Sequence, residues 1–257
     1  MIPQTAQGSP TPALAATRVE MVYPKMSKPA LHEFNISVRE GEVFGLLGPN
    51  GAGKTTAISI MCSLLRPAKG TVSIHGLDVR RHSRAIREMM GIVPQDIALY
   101  PTLTARENLR YFGRLYGMHG HSLETRITEC LQWVGLEERA DHFVKTYSGG
   151  MKRRANLAAG CLHSPRLLFL DEPTVGIDPQ SRNLILEKLA LLQREGTTMI
   201  YTTHYMEEAE GLCTRILILD EGRTIAQGTP KELIAANEGC ANLADLFFAL
   251  TGKQLRD

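Results

Sequence analysis

Three stretches in the first third of the chain alternate apolar and polar residues: RVEMVY (Arg18–Tyr23), EFNISVR (Glu33–Arg39) and TVSIHG (Thr71–Gly76). A period of two puts every second side chain on one face, so each predicts a half-buried antiparallel strand. GEVFGLLG, LLFLD and TMIYTTH differ, being nearly continuous apolar runs of strand length. Such runs suit strands buried on both faces of a parallel sheet. Helical spacing appears in TTAISIMCSLL after the first of these runs and in SRNLILEKLALLQREG after the second. Strand, helix, strand at this rhythm predicts an α/β core with a mostly parallel sheet, accompanied by an antiparallel β subdomain.

Between about Gln95 and Ala158 the pattern changes. LTARENLRYFGRLYGM, LETRITECLQWVGL and MKRRANLAAGCLHS all have helical spacing, and no strand run interrupts them. They predict an inserted helical subdomain over about residues 95–158, with Leu131, Trp133 and Leu136 in its packing. RILILDEGRTIAQG predicts a hairpin turning at Glu221-Gly222. TPKELIAANEG and LADLFFALTGKQLRD predict closing helices, the last forming an extension over 236–257. The opening MIPQTAQGSPTPALAAT has no periodicity, no charged n-region and no apolar h-region. It predicts a flexible tail over 1–17 rather than a secretory signal, leaving 18–235 as the main domain.

Charge and composition narrow the classes. The 257 residues include 29 Lys and Arg against 27 Asp and Glu, a net charge of +2. That balance gives no reason to expect a nucleic-acid partner. The longest apolar runs are far short of a membrane span, so a membrane role is expected only through a partner. The five cysteines are odd in number and form no CxxC. They suit a reduced cytoplasmic compartment, each as a small buried hydrophobe. His119 and His121 have no acid or Cys at ligand spacing and read as a solvated loop rather than a metal site.

The chemistry starts at GPNGAGKTT: Gly48, Pro49, Asn50, Gly51, Ala52, Gly53, Lys54, Thr55 and Thr56. The spacing G-x-x-x-x-G-K-S/T follows a predicted strand and opens a predicted helix, the context a phosphate-binding loop requires. Glycines let backbone N–H groups turn inward on anionic oxygens, and the helix adds its positive end. Lys54 would place a point charge on the β- and γ-phosphates, and the Thr55 hydroxyl would ligate Mg²⁺. LLFLDEP puts Asp171 and Glu172 at the end of an apolar strand. Asp171 would hold Mg²⁺, directly or through water, and Glu172 would polarise an attacking water. Together they predict metal-assisted hydrolysis of a nucleoside triphosphate.

TYSGGMKRR (Thr146–Arg154) is puzzling beside these motifs, because it holds no acid, histidine or cysteine. Alone it reads as a loop with Ser148 capping a helix. Gln95 in GIVPQD, Asp178 in GIDP and His204 in TTHYMEEAE are each equally ordinary in isolation. In this order and at these spacings they resemble one family, the ATP-binding cassette (ABC) ATPases, from about Thr17 to the chain end. YSGGM is similar to that family's signature, usually written LSGGQ, with Tyr147 for the common Leu and Met151 for the common Gln.

The resemblance implies a P-loop NTPase fold and a set of roles. Tyr23 matches the aromatic that stacks on adenine. Gly48–Thr56 is Walker A, Leu167–Asp171 is Walker B, and Glu172 is the catalytic glutamate. Gln95 matches the glutamine that touches Mg²⁺ and the attacking water and senses the membrane partner. Asp178 matches the D-loop, and His204 the histidine on the γ-phosphate. In the family two copies face head to tail, so Ser148, Gly149 and Gly150 of one copy would cap the ATP held by the other. The resemblance further implies a separate integral-membrane permease and a location on the inner face of the membrane. The signature form and the C-terminal helix resemble exporters of drugs, lipids and polysaccharides, including the daunorubicin-resistance type. An importer, a soluble cassette acting on DNA or ribosomes, and a P-loop kinase or GTPase are the alternatives. The chain lacks the long coiled-coil insertion or tandem cassettes of the soluble class, and the N-K-x-D of GTPases. Ile97, Leu99, Tyr100 and Leu103 are candidates for a permease groove, or else pack the helical subdomain.

Overall fold

The structure is a computed structural model that describes residues 11–24 and 28–252. β1 (Leu14–Met21), β2 (Leu31–Val38) and β3 (Val43–Leu47) come first, and α1 (Lys54–Met61) follows the loop after β3. Next are β4 (Lys69–Ile74), the two-residue β5 (Leu77–Asp78), α2 (Ser83–Met89) and β6 (Met90–Val93). A helical lobe of α3 (Ala105–Leu115), α4 (Gly120–Trp133) and α5 (Gly149–Cys161) separates β6 from β7 (Leu167–Asp171). Then come α6 (Pro179–Arg194), β8 (Thr198–Thr202), α7 (Met206–Leu212), β9 (Arg215–Asp220), β10 (Arg223–Gly228), α8 (Pro230–Ala235) and α9 (Leu243–Thr251).

Two sheets form. The larger has the order β10-β9-β3-β8-β7-β6, parallel throughout except for the β9–β10 hairpin at its edge. Every residue of β3, β7 and β8 is buried, as continuous apolar strands covered on both faces should be. The smaller sheet, β2-β1-β4-β5, is antiparallel. In β2 buried and exposed positions alternate over most of the strand, matching the period of two in its sequence. Glu221 and Gly222 both have positive φ, +46° and +76°, the backbone of the tight turn that joins β9 to β10.

The lobe has its own core, built on Leu109, Leu123, Ile127, Leu131, Val144 and Leu162. Leu136 is buried there, and Trp133 bridges this core to the one under the larger sheet. A Thr104–Glu107 capping box starts α3, satisfying N–H groups that the first turn leaves free. α5 continues past Ala158 to Cys161. His121 lies in the first turn of α4 rather than in a loop, with His119 as the N-cap.

Two expected boundaries are corrected. The tail over 1–17 is too long: β1 starts at Leu14, and Ala13 and Leu14 are fully buried. Leu14–Ala16 pairs on both sides, with β2 and with β4. Alanine shows little periodicity, so the neighbouring strands decide this segment; residues 1–10 lie outside the described part. Likewise α9 is no appendage. Leu243, Leu246 and Phe247 are buried in the same cluster as β3, β7 and β8. Residues 253–257 of that expected extension lie outside the described part.

Because Phe247 is 1% exposed, Phe247→Ala is expected to cost about 3–5 kcal/mol of stability, as emptied aromatic core sites do. A urea denaturation midpoint measures it. A change within about 0.5 kcal/mol, usual for surface positions, would make α9 peripheral after all.

Candidate active site

Parallel pairing lines up four strand ends. β3, β8, β7 and β6 lie side by side, with Leu46 and Asp171 both opposite Thr202, and Val93 opposite Leu170. The segments that leave them therefore converge: the glycine loop after β3, His204 after β8, Glu172 after β7 and Gln95 after β6. Open α/β sheets form ligand sites at such carboxyl ends.

Glu172 is the point of convergence. Gln95 Nε2 donates to its Oε2 at 3.2 Å, His204 Nδ1 lies 3.2 Å from the same oxygen, and Lys54 Nζ is 3.9 Å from Oε1. Its backbone has φ +46°, a left-handed conformation uncommon for a residue with a side chain. Thr202 holds it there: the Glu172 N–H donates to the Thr202 carbonyl (3.2 Å) and hydroxyl (3.0 Å). The same hydroxyl donates to Asp171 Oδ1 at 2.6 Å. Asp171 Oδ2 faces the Thr55 hydroxyl at 3.5 Å.

Lys54 is buried and donates to the carbonyls of Gly48 (2.8 Å) and Pro49 (3.3 Å). Burial pushes its ammonium below the usual lysine range, while Glu172 and Asp171 push it back up. Gly53 sits at φ +108°, and a Cβ there would lie 2.5 Å from the Ala30 carbonyl. Only glycine makes this turn into α1. A pocket of about 480 Å³ opens here, lined by Tyr23, the segment 50–56, Gln95 and Glu172. The Tyr23 hydroxyl is 3.2 Å from Thr56 Oγ1. Inward amides, a buried ammonium and an acid held by two donors can together receive a polyphosphate and orient a water beside it.

Ser148, Gly149, Gly150 and Asp178 do not line this pocket. They gather elsewhere. Ser148 caps α5, accepting from Met151 N at 3.2 Å, and Asp178 caps α6, accepting from Ser181 N at 2.8 Å. The Ser181 N–H and hydroxyl hold the Asp178 carboxyl below its ordinary range. Gly150 packs against that cap: a Cβ on it would lie 2.1 Å from Ser181 Oγ and 3.0 Å from Asp178 Oδ2. Ser148, Gly149 and Asp178 are themselves exposed.

The family model described as ABC transporter matches residues 31–175. The chain belongs to this family. It is 49% identical over 220 residues to the linearmycin resistance ATP-binding protein LnrL of Bacillus subtilis (strain 168), covering 86% of this chain and 70% of that protein. It is 43% identical over 231 residues to the Nod factor export ATP-binding protein I of Paraburkholderia xenovorans (strain LB400), covering 90% and 75%. A solved ATP-binding subunit of an ABC transporter superposes with TM-score 0.84 at 30% identity, over 93% of this chain and 99% of that one. A dimeric, post-hydrolysis ATP-binding cassette MJ0796 bound to ADP and Pi superposes with TM-score 0.77 at 28% identity, over 84% and 98%. The chain is thus the ATP-hydrolysing subunit of an ABC transporter. Among the described residues no helix is long and apolar enough to cross a membrane.

Several residues of this ABC ATPase site escaped the sequence. Thr202 joins the Asp171 carboxylate to the Glu172 backbone N–H, and its signal was the Thr-Thr pair preceding His204. Arg153 on α5 donates to the Gln95 carbonyl. Asn156, one turn on, donates to Pro94 O and accepts from Ala98 N, both at 3.2 Å. The signature helix thereby holds the glutamine loop on either side of Gln95. Tyr147 departs from the family's leucine for a packing reason: it is buried and donates to the Arg139 carbonyl at 2.6 Å. The groove candidates divide. Leu99 is 7% exposed and packs the lobe, whereas Tyr100 is 46% exposed, edge-on to Tyr111.

The Gly150 contact gives a structural test. Gly150→Ala should cost about 1–3 kcal/mol, as overpacking does, and Ser181→Gly in the same chain should recover most of it by removing Ser181 Oγ and Cβ, 2.1 and 2.6 Å from the added Cβ. Melting curves of the single and double variants measure this. No recovery in the double variant would mean that the clash lies elsewhere.

Proposed function

We propose that this chain powers an exporter. Two copies would clasp two ATP molecules head to tail, and hydrolysis would drive a separate integral-membrane permease that holds the pair on the inner face of the membrane. The observation that carries the reading is the convergence of Lys54, Gln95 and His204 on one carboxylate, Glu172, at the mouth of the pocket.

In this reading Lys54 and the amides of Gly51, Gly53, Thr55 and Thr56 bind the β- and γ-phosphates, and Tyr23 stacks on adenine. Glu172 takes the proton of the attacking water. His204 and Gln95 orient that water and the γ-phosphate. Thr55 and Asp171 present hard oxygen donors 3.5 Å apart, the chemistry Mg²⁺ prefers. They would hold the ion, with Gln95 beside them, and it would neutralise charge on the phosphates. Ser148, Gly149, Gly150 and Asp178 serve the partner copy. The exposure of Ser148, Gly149 and Asp178 outside the pocket supports this, as does the dimeric cassette among the similar structures. Export is favoured because the linearmycin-resistance and Nod-factor-export proteins are similar over most of the chain.

A complementation experiment tests the assignment. Ser148→Arg and Lys54→Ala chains are each expected to be inactive alone. Mixed, they form one intact site, from the Lys54 of the first chain and the Ser148 of the second, and ATPase activity returns. Adding Glu172→Gln to the Ser148→Arg chain abolishes the restored activity; adding it to the Lys54→Ala chain does not. Restoration that ignores the placement of Glu172→Gln would refute the assignment.

For the permease, a cleft of about 1000 Å³ between core and lobe offers a docking surface apart from the buried Leu99. Leu64 and Leu115 line it, 68% and 66% exposed, beside Arg66, Arg84, Arg87 and Arg114. It suits a cytoplasmic helix with apolar and acidic residues. Leu115→Asp should leave ATP binding and the melting temperature unchanged but abolish co-purification with the permease. Normal assembly of that variant would move the docking surface elsewhere.

A further inference from the structure

Behind the site lies a carboxylate that the proposed chemistry leaves unused. Glu208, in the first turn of α7, has 4% of its side chain exposed. Its Oε2 accepts from three hydroxyls, those of Tyr201 (2.7 Å), Thr203 (2.8 Å) and Thr174 (3.0 Å). Burial and the nearby Glu208 keep the Tyr201 phenol protonated, so it is the donor. Oε1 faces Arg182 Nε at 3.6 Å, and neither atom has a hydrogen bond among the described residues. A carboxylate buried this deeply is costly unless donors and a cation surround it.

The donors come from three separate segments of the site. Thr174 lies two residues after Glu172. Tyr201 and Thr203 flank Thr202, which holds both Asp171 and the Glu172 backbone. Thr203 immediately precedes His204, and its hydroxyl also accepts from Tyr205 N at 3.0 Å. Arg182 is in the first turns of α6, where its N–H bonds the carbonyl of the capping Asp178. The Arg182 guanidinium lies 4.2 Å over the Tyr205 ring, which in turn is 4.2 Å from that of His204. Glu208 therefore sits where the turn after Glu172, the strand end carrying His204 and the helix capped by Asp178 meet.

We propose that Glu208 is a positioning residue for ATP hydrolysis: it fixes Thr203 and Thr174 in register, so that His204 and Glu172 face each other, and through Arg182 it ties that register to α6. This rests on reading His204 and Glu172 as groups of the hydrolytic site. Lys54 and the glycine loop make no contact with Glu208, so nucleotide binding should be insensitive to it. A misplacement of order an ångström at reacting groups can cost about 100-fold in rate, and groups acting through one another give non-additive losses.

The test uses the full chain, with kcat and KM for ATP and nucleotide Kd measured for Glu208→Ala, Glu208→Gln, Thr203→Val, His204→Ala and the Glu208→Ala/His204→Ala pair. Glu208→Ala should lower kcat by about 100-fold, with Kd within about twofold. The double variant should be no slower than His204→Ala alone. Glu208→Gln should recover part of the rate, since its amide oxygen still accepts from the three hydroxyls. Should Glu208→Ala fail to fold, Thr203→Val carries the same test, because it removes one hydroxyl beside His204 without emptying the core. An unchanged kcat in Thr203→Val, or multiplicative losses in the double variant, overturns the role of Glu208. A normal rate in His204→Ala overturns the reading of the site itself.

Discussion

Two adjacent carboxylates end a strand that is buried along its whole length, and the surroundings of Asp171 and Glu172 follow from the cost of leaving them unpaired. Each is only 8% exposed. A buried charge without partners is expensive, and a wrong partner distorts the site. The fold answers with donors gathered at the strand ends: Thr202 from β8, Lys54 and Thr55 from the start of α1, Gln95 after β6, and His204 beyond β8. One hydroxyl, Thr202, serves both acids, donating to Asp171 and accepting from the Glu172 N–H. That dual role holds Glu172, whose carboxylate gathers the site, in its left-handed backbone conformation.

The same economy of contacts separates the pocket from the outward-facing starts of α5 and α6. Gly150 has no room for a side chain, because the cap of α6 packs onto the turn that begins α5. Ser148 and Asp178 are thereby held side by side at two helix starts, facing outward. Arg153 and Asn156, one and two turns further along α5, grip the segment around Gln95. A single rigid helix thus reaches from the outward face to the pocket.

Much of this was legible in the linear chain because the relevant signals are local. Continuous apolar runs of strand length suit strands covered on both faces, and the glycine spacing before Lys54 suits a phosphate-binding turn between strand and helix. Strand ends with Asp171, Glu172 and His204 follow from those runs. Helical spacing likewise announced the lobe. The sequence therefore determined the α/β class, the phosphate loop, the acids and the order in which they arrive.

What tertiary structure alone decided depends on contacts between residues far apart in the chain. β1 begins at Leu14 because two other strands pair with an alanine-rich segment that has no pattern of its own. α9 joins the main core because β3, β7 and β8 present an apolar face to it. Leu99, in the loop before α3, turned inward while Tyr100 beside it stayed out, a choice that periodicity over a loop cannot make. Thr202, Arg153 and Glu208 gained their places from strand register and helix packing, since a hydroxyl, a guanidinium or a carboxylate acquires meaning only from what the fold sets opposite it.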